Sequence, residues 1–424
     1  MSDISKKLFE KGKVVLPFSV NSPIRYFEPY PFFTKSGKGS KIVTVDNKIL
    51  LDYCMAYGSL LMGHAFEPVL EQVNMQLEKG TLYGIPTEKE IELAELLNRI
   101  LPSAEMTRLV NTGAEATMTS IRLSRAFTGK TKILKFDGCY HGAYDYVLMN
   151  SGSGSGNIPV SLGIPTESIS QTISIKFNDI SLVEEQVKKD TDIACIIIEP
   201  VAANMGLILP ELSYLQELRK ITQRENIILI FDEVITGFRM NLGGAAEYFG
   251  IRPDLCTFSK ALGAGFPIAA LCGKREIMEM LAPSGRVYQA STYAGNPISV
   301  TASIALLQIL KEQKNVIYPK LSKICDLLVN GIKDSIYDNN LNVKVNSISS
   351  MFQVFFASEI PMDFDDVKKS NIIKFKKYFN YLLESNIFIP PSQFETCFIS
   401  HSHNEDDVDK TIDVISNALK MASN

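Results

Sequence analysis

A lysine and an aspartate stand at the ends of two apolar runs that are typical of buried strands. Asp232 ends the run 227–231, and Lys260 follows the run 255–258 and leads into a glycine-rich turn. A partly desolvated lysine has a lowered pKa and can form an imine with a carbonyl group. A carboxylate beside a pyridine nitrogen keeps that nitrogen protonated. The pair therefore predicts a site for pyridoxal 5'-phosphate.

Two other interpretations of these residues stay open at this point. Asp232 could form a purely structural salt bridge, because a buried carboxylate is costly unless a cation meets it. Lys135, at the end of the apolar run 133–136, competes with Lys260 for the role of imine-forming lysine, although no glycine-rich turn follows it.

The segment Thr112, Gly113 and Ala114 could bind the phosphate of such a cofactor. It leads from a strand candidate at 108–110 into a helical stretch at 117–127. The first N–H groups of a helix are free and point toward an incoming anion. An ordinary helix N-cap is the alternative interpretation.

An aromatic residue, Tyr140, lies between two glycines just beyond a predicted strand and could stack on a flat ring. Its neighbour His141 is equally compatible with a hydrogen-bonded structural role. The four histidines of the chain do not supply a three-ligand set by their spacing, so we predict no metal site.

These residues require a sheet that brings the ends of several strands together. From residue 61 to 312, short apolar runs alternate with helical patterns, which favours an α/β fold with a mostly parallel central sheet covered by helices. The strand candidates are 108–110, 133–136, 193–198, 227–231 and 255–258.

Two smaller regions flank this predicted large domain at 61–312. Residues 1–60 form an N-terminal segment with a hairpin at 41–52, and residues 313–424 predict a smaller α+β C-terminal domain. That domain includes a strand at 351–356 and a helix at 405–421. The Gly/Ser stretch at 151–157 is either a linker or a mobile loop over the active site, and we favour the loop.

The composition limits the class of protein and its partners. The 424 residues are 46% hydrophobic, and 43 Lys and Arg stand against 47 Asp and Glu, which predicts a globular protein that does not bind nucleic acid. Seven scattered cysteines indicate neither disulfides nor zinc. We see no signal peptide and no membrane span, so we expect a cytoplasmic protein. The chain has no tryptophan.

The motifs together resemble the class III aminotransferases of fold type I. Within that family they are most similar to the members that exchange an amino and a carbonyl group inside one substrate molecule. The resemblance covers nearly the whole chain. The most specific segments are 21–25, 136–142, 231–239, 295–297 and 391–395.

The resemblance implies a role for each residue that would contact the ring of the cofactor. Lys260 would be the Schiff-base lysine and the proton shuttle, and Asp232 the partner of the pyridinium nitrogen. Val234 would be the apolar backing of the ring. Tyr140 would stack on the ring, and Asn204 would approach its phenolic oxygen.

The phosphate group would be held by Thr112, Gly113 and Ala114, again by resemblance. Thr292 would reach it from a neighbouring subunit, which implies a homodimer with a shared phosphate site. The family commonly has Ser-Gly-Thr where this chain has residues 112–114. Ala114 therefore removes a hydroxyl group, although the backbone donors remain.

Arg25 is the implied substrate anchor, because a guanidinium can bind a carboxylate through two hydrogen bonds. Ser22, Ser153 and Glu395 would complete the substrate pocket by analogy. Tyr57 stands where the family commonly has tryptophan, and it would lie near that pocket.

The implied reaction is the conversion of glutamate 1-semialdehyde to 5-aminolevulinate in tetrapyrrole biosynthesis. It would start from the pyridoxamine phosphate form of the cofactor and pass through a diamino intermediate. Two alternatives stay open. One is an intermolecular class III aminotransferase that acts on an amino acid or an ω-amine, and the other is a cofactor-free binding or scaffold protein that keeps the fold.

Overall fold

The computed structural model describes residues 3–152 and 161–423, and strands alternate with helices along much of this chain. The strands are β1 (Thr34–Lys38), β2 (Lys41–Thr44), β3 (Ile49–Asp52), β4 (Met106–Val110), β5 (Lys132–Phe136), β6 (Thr172–Ile175), β7 (Ile193–Ile198), β8 (Ile228–Asp232), β9 (Leu255–Phe258), β10 (Ala269–Gly273), β11 (Lys344–Ile348), β12 (Met351–Phe355), β13 (Ile387–Phe388) and β14 (Cys397–Phe398).

The helices cover the sheets and join their strands. They are α1 (Asp3–Gly12), α2 (Met55–Gly58), α3 (Glu67–Leu77), α4 (Glu88–Ile100), α5 (Gly113–Thr128), α6 (Thr166–Ser170), α7 (Ile180–Lys189), α8 (Leu212–Arg224), α9 (Gly244–Phe249), α10 (Arg275–Met278), α11 (Pro297–Glu312), α12 (Lys314–Asp338), α13 (Phe364–Lys369), α14 (Ile372–Glu384) and α15 (Glu405–Ser423). Short 3-10 helices span Pro17–Ser19, Pro23–Arg25 and Lys260–Gly263.

A seven-stranded sheet in the order β4-β10-β9-β8-β7-β5-β6 forms the centre of the molecule. Strand β10 runs antiparallel to both of its neighbours, and the other pairs are parallel. Every residue of β7, β8 and β9 is buried. The continuous apolar runs in these strands are those of a sheet covered on both faces.

Each of the five strand candidates in the large domain is confirmed, and so is the mostly parallel sheet. Strands β6 and β10 of this sheet were not predicted. The sequence of β10, Ala-Ala-Leu-Cys-Gly, contains none of the β-branched or aromatic residues that mark strands. Strand β10 forms because the edge strand β4 and strand β9 pair with it on its two sides.

The predicted hairpin near the N-terminus is also confirmed, since β2 and β3 pair antiparallel. Its sheet has the order β1-β2-β3-β13, and β13 joins it parallel to β3, with Ile387 opposite Leu51. The N-terminal strands and the C-terminal region therefore share one sheet. The boundaries at 60 and 312 stay a prediction.

A third sheet, β11-β12-β14, lies in the C-terminal region, where α12 and α14 both pack against α15. The predicted strand at 351–356 and helix at 405–421 correspond to β12 and α15. Of the Gly/Ser stretch predicted as a loop, residues 153–157 lie outside the described part of the chain. No helix in the described part is both long and apolar enough to cross a membrane.

Glu233 connects the end of β8 to the start of α9. Its side chain is fully buried and accepts hydrogen bonds from the N–H groups of Ala245 (2.5 Å) and Ala246 (3.0 Å) and from the hydroxyl of Thr236 (3.0 Å). Burial raises the pKa of this carboxyl from 4.5 to about 7, because the ionised form is desolvated.

We predict that Glu233 makes the stability of the protein depend on pH in a defined window. Because its pKa is higher in the folded than in the unfolded chain, the free energy of unfolding falls as pH rises from 4.5 to about 7. The fall is about 3 kcal/mol and is then complete. In Glu233→Gln it is absent. Urea unfolding of both proteins across this range measures it, and a difference between them that stays constant with pH would contradict the assignment.

Candidate active site

The carboxyl ends of three neighbouring parallel strands place one polar side chain each at the same edge of the central sheet. Glu199 follows β7, Asp232 ends β8, and Lys260 lies two residues beyond β9. All three line a cavity of about 740 Å³. Ligands of open α/β sheets bind at this edge.

Most of the residues predicted from the sequence line this cavity. They are Ser22, Tyr57, Thr112, Gly113, Ala114, Tyr140, Asn204, Asp232, Val234, Lys260 and Glu395. Arg25 and Thr292 are exposed and do not line it. Ser153 lies outside the described residues.

Asp232 is buried and receives three hydrogen bonds. Oδ1 accepts from the hydroxyl of Thr257 on β9 and from the backbone N–H of Val234, both at 3.1 Å. Oδ2 lies 2.7 Å from Nδ1 of His141, whose ring is buried and also lines the cavity. His141 Nε2 has no partner among the described residues. The imidazole thus fixes the carboxylate that the sequence analysis singled out.

Lys260 begins the 3-10 helix after β9 with a left-handed backbone (φ +43°). Desolvation lowers the pKa of its amine, and the nearby charge of Arg239 acts in the same direction. Glu395, Glu199 and Asp232 oppose this shift. The balance leaves an amine with a larger neutral fraction than a surface lysine, as a nucleophile or base requires.

The competing lysine, Lys135, lies elsewhere. Its side chain is fully buried on β5, and its ammonium donates to the carbonyl of Met149 at 2.6 Å. Burial lowers its pKa to about 8. Because Lys135 does not line the cavity, Lys260 is the lysine that can meet a ligand there.

The start of α5 opens onto the cavity through Gly113 and Ala114. The hydroxyl of Thr112 caps the helix by accepting the N–H of Glu115 at 3.1 Å. In the described part of the chain, no acceptor meets the N–H groups of Gly113 and Ala114. A Cβ at Gly113 would lie 2.8 Å from Val234, so glycine is required for this close approach. The free N–H groups can bind an anion.

Glu199 is the residue of the site that the sequence analysis missed. It is buried, and its two carboxylate oxygens accept the backbone N–H of Tyr140 at 2.8 Å and that of Ala203 at 2.9 Å. Desolvation raises its pKa. It therefore orients the aromatic residue and the turn that carries Asn204. The signal was available, because Glu199 ends a buried strand run as Asp232 does.

Residues 21–24, the turn at 56–57 and Glu395 also line the cavity. The phenol of Tyr57 donates to the carbonyl of Ile24 at 2.7 Å, which ties two of these segments together. Burial raises the pKa of this phenol, and the charge of Arg25 acts against the rise. Arg25 is therefore near the cavity wall while its own side chain faces solvent.

A family model described as aminotransferase class III matches residues 25–391 of this chain. The chain belongs to the class III aminotransferases. The seven-stranded, mostly parallel sheet is the fold type I architecture of this family, as predicted.

Curated members of the family are similar over their whole length. A glutamate-1-semialdehyde 2,1-aminomutase of Nitrosopumilus maritimus is 51% identical over 422 residues, which cover 99% of this chain and 100% of the relative. One from Methanocaldococcus jannaschii is 49% identical over 421 residues, covering 99% and 98%. The crystal structure of an omega-transaminase from Sphaerobacter thermophilus superposes with a TM-score of 0.93 at 30% identity, covering 100% and 98%.

The cavity of this class III aminotransferase fits pyridoxal phosphate, the cofactor of the family. The free N–H groups of Gly113 and Ala114 suit its phosphate, and the buried carboxylate of Asp232 suits its ring nitrogen. The desolvated amine of Lys260 suits its aldehyde. Each of the three functional ends of the cofactor thus has a matching group on the same cavity.

We predict that Gly113→Ala weakens cofactor binding. The new methyl group pushes Val234 toward the space where a ring lies, and we expect the dissociation constant of pyridoxal phosphate to rise about tenfold. Titration of the cofactor-stripped protein, followed by absorbance, measures it. Gly129→Ala, at the other end of α5, is the matched control, because its Cβ meets nothing within 4 Å and the backbone strain it adds at φ +71° is at the end of the helix that does not line the cavity. Equal effects of the two variants would contradict the role of Gly113.

Proposed function

We propose that this protein converts glutamate 1-semialdehyde to 5-aminolevulinate by exchanging an amino and a carbonyl group within one molecule. The observation that carries the proposal is the 51% identity to a glutamate-1-semialdehyde 2,1-aminomutase, because it extends over 99% of this chain. The groups that line the cavity support it, since they divide into a cofactor side and a substrate side.

On the cofactor side, Lys260, Asp232, Val234, Tyr140, Asn204 and residues 112–114 are proposed to hold pyridoxal phosphate. When bound, this cofactor supplies an electron sink that acidifies the C–H bond beside the attached nitrogen. His141 orients the carboxylate of Asp232, and Glu199 orients the backbone of Tyr140. These contacts keep the site in one geometry before the substrate arrives.

Lys260 is proposed to move protons during the exchange. Its lowered pKa lets the amine release a proton from Nζ more readily than a surface lysine does, and accept it again. The three neighbouring carboxylates stabilise the protonated form, which limits how far the pKa falls. An amine balanced in this way can act in both directions, as an internal exchange requires.

On the substrate side, we propose that Arg25 binds the single carboxylate of glutamate 1-semialdehyde, with Ser22, Tyr57 and Glu395 shaping the pocket. The support is that Ser22 and Tyr57 line the cavity and that the charge of Arg25 acts on Tyr57. A guanidinium can form two parallel hydrogen bonds to a carboxylate. Arg25 has to turn inward from its exposed position to do so.

The alternative is an intermolecular aminotransferase that uses an amino acid or an ω-amine. Two observations favour it: the close superposition with an omega-transaminase, and the absence of Arg25 from the cavity lining. Both activities use the same cofactor side, so the substrate side distinguishes them.

An assay with glutamate 1-semialdehyde as sole substrate separates the two functions. We expect the purified protein, loaded with pyridoxamine phosphate, to form 5-aminolevulinate over many turnovers without an added amino donor or oxo acid. Release of one equivalent of 4,5-diaminovalerate per cofactor in place of 5-aminolevulinate, renewed only when a donor amine is added, would support the intermolecular enzyme instead.

Lys260→Ala is the matched inactive control in the same assay. We expect turnover to fall by at least about a thousandfold, because no other amine lines the cavity in the described part of the chain. Circular dichroism and melting temperature should stay close to those of the unsubstituted protein. Turnover like that of the unsubstituted protein would refute the assignment of Lys260.

We also propose that two copies of the chain form a homodimer in which Thr292 reaches the phosphate site of the partner. Thr292 is exposed and absent from the cavity of its own chain. Its surroundings include two exposed aromatic residues, Tyr288 and Tyr293, with 73% and 62% of their surface accessible. Exposed aromatic groups of this kind are enriched in protein interfaces.

Mixing two inactive variants tests the shared site. Thr292→Asp places a negative charge where the phosphate would bind, and Lys260→Ala removes the amine. If the site is shared, a mixed dimer contains one intact site, so an equimolar mixture regains about a quarter of the full activity after subunit exchange. A mixture that stays inactive would show that each chain holds its own phosphate.

A further inference from the structure

Arg239 is a fully buried arginine whose charge no carboxylate neutralises in the described part of the chain. Nη2 donates to the carbonyl of Gly58 at 2.6 Å. Nη1 donates to the hydroxyl of Ser350 at 3.1 Å and to the carbonyl of Ile399 at 3.3 Å. A buried charge of this kind is costly. The three contacts join the guanidinium to segments that lie far apart in the sequence.

The contact with Gly58 ends a strained left-handed turn, which is the segment labelled α2. Met55, Ala56 and Tyr57 have φ values of +45°, +52° and +55°, and Gly58 follows with +88°. Residues other than glycine adopt this left-handed conformation singly rather than in succession. Such a turn persists only where its surroundings fix it on both sides.

Two buried side chains fix the two ends of this turn. At its start, Oδ1 of Asp52 accepts the N–H groups of Cys54 at 2.8 Å and Met55 at 3.0 Å. At its end, Arg239 binds the carbonyl of Gly58. The residues between these anchors include Ala56 and Tyr57, which line the cavity.

The ring of Phe398 completes the anchor at the end of the turn. The guanidinium of Arg239 lies over this ring, with 4.8 Å between its central carbon and the ring centroid. A Cβ at Gly58 would lie 2.9 Å from the same ring, so the turn packs directly on it. Arg239 therefore connects the segment after Asp232 with the turn and with the C-terminal region.

We propose that Arg239 is a positioning residue for the substrate side of the cavity, which fixes the left-handed turn through Gly58 and thereby sets the place of Tyr57. Only the kinetic part of its test rests on the proposed function. Arg239 does not line the cavity, and it acts on the substrate side through the backbone of the turn. Its charge also contributes to the lowered pKa of Lys260, as a smaller cause than desolvation.

The absence of tryptophan provides a readout that does not depend on activity. Tyr57→Trp creates a protein with one tryptophan, located in the turn itself. In the holoenzyme of this variant, we expect Arg239→Met to shift the emission to longer wavelength and to increase quenching by acrylamide at least about twofold, because the turn loosens and its ring becomes accessible.

The kinetic readout uses the chain with its natural Tyr57. We expect Arg239→Met to raise KM for glutamate 1-semialdehyde about tenfold, the loss that corresponds to a hydrogen bond from a charged donor. We expect kcat to change less than about threefold, because desolvation, and not the charge of Arg239, is the main cause of the lowered pKa of Lys260. Arg239→Lys keeps the charge and can reach one of the two carbonyls, so its effect should be intermediate. If Arg239→Met does not fold, Arg239→Lys carries both measurements.

Arg219→Met is the matched control. Arg219 is also mostly buried, but it pairs with Asp254 at 2.9 Å, and neither residue lines the cavity. We expect it to lower stability without changing KM or the emission. The proposal is overturned if Arg239→Met and Arg239→Lys leave KM and emission unchanged, or if Arg219→Met changes them equally. If glutamate 1-semialdehyde is not a substrate, the emission readout still decides the role of Arg239.

Discussion

The carboxylate of Asp232 is held out of water at the end of a buried strand, and much of the site follows from the donors that make this possible. A buried carboxylate is costly unless hydrogen-bond donors surround it. The donor from Thr257 comes from β9, the strand that leads to Lys260, and the donor from His141 comes from the segment after β5. One acidic side chain thus fixes the relative positions of three strand ends, and these ends carry the groups that a pyridine cofactor needs.

The cofactor side could be predicted from the sequence because its signals are local. Long apolar runs mark β7, β8 and β9, and parallel strands bring their carboxyl ends to one edge. The residues that end these runs therefore had to lie together. Strand β10 lacked such a signal, since its alanines and glycine suit a strand only where neighbours pair with it. Glu199 was missed although the same reasoning applied to it, because its neighbours in sequence suggested no separate chemistry.

The substrate side could not be predicted in the same way, because tertiary contacts determine it. Nothing in the sequence Met55-Ala56-Tyr57 favours a left-handed backbone, and the conformation depends on Asp52 and Arg239, which lie far apart in the chain. The resemblance to the family supplied the substrate residues by position, but it gave neither the exposure of Arg25 nor the bond from Tyr57 to Ile24. The two sides of one cavity thus differ in how much of their geometry is determined by residues that are neighbours in the sequence.

The parallel pairing of β3 with β13 also sets an order of events during synthesis of the chain. In strand β3, Leu51 is paired with Ile387, which leaves the ribosome long after it. Strands β4 to β10, which carry the lysine and the aspartate, are complete long before that. Since domains fold as units while the chain is made, and distant pairings form late, the edge that binds cofactor can assemble on a nascent chain. The cavity wall on the substrate side can form only after β13 and Glu395 have been synthesised.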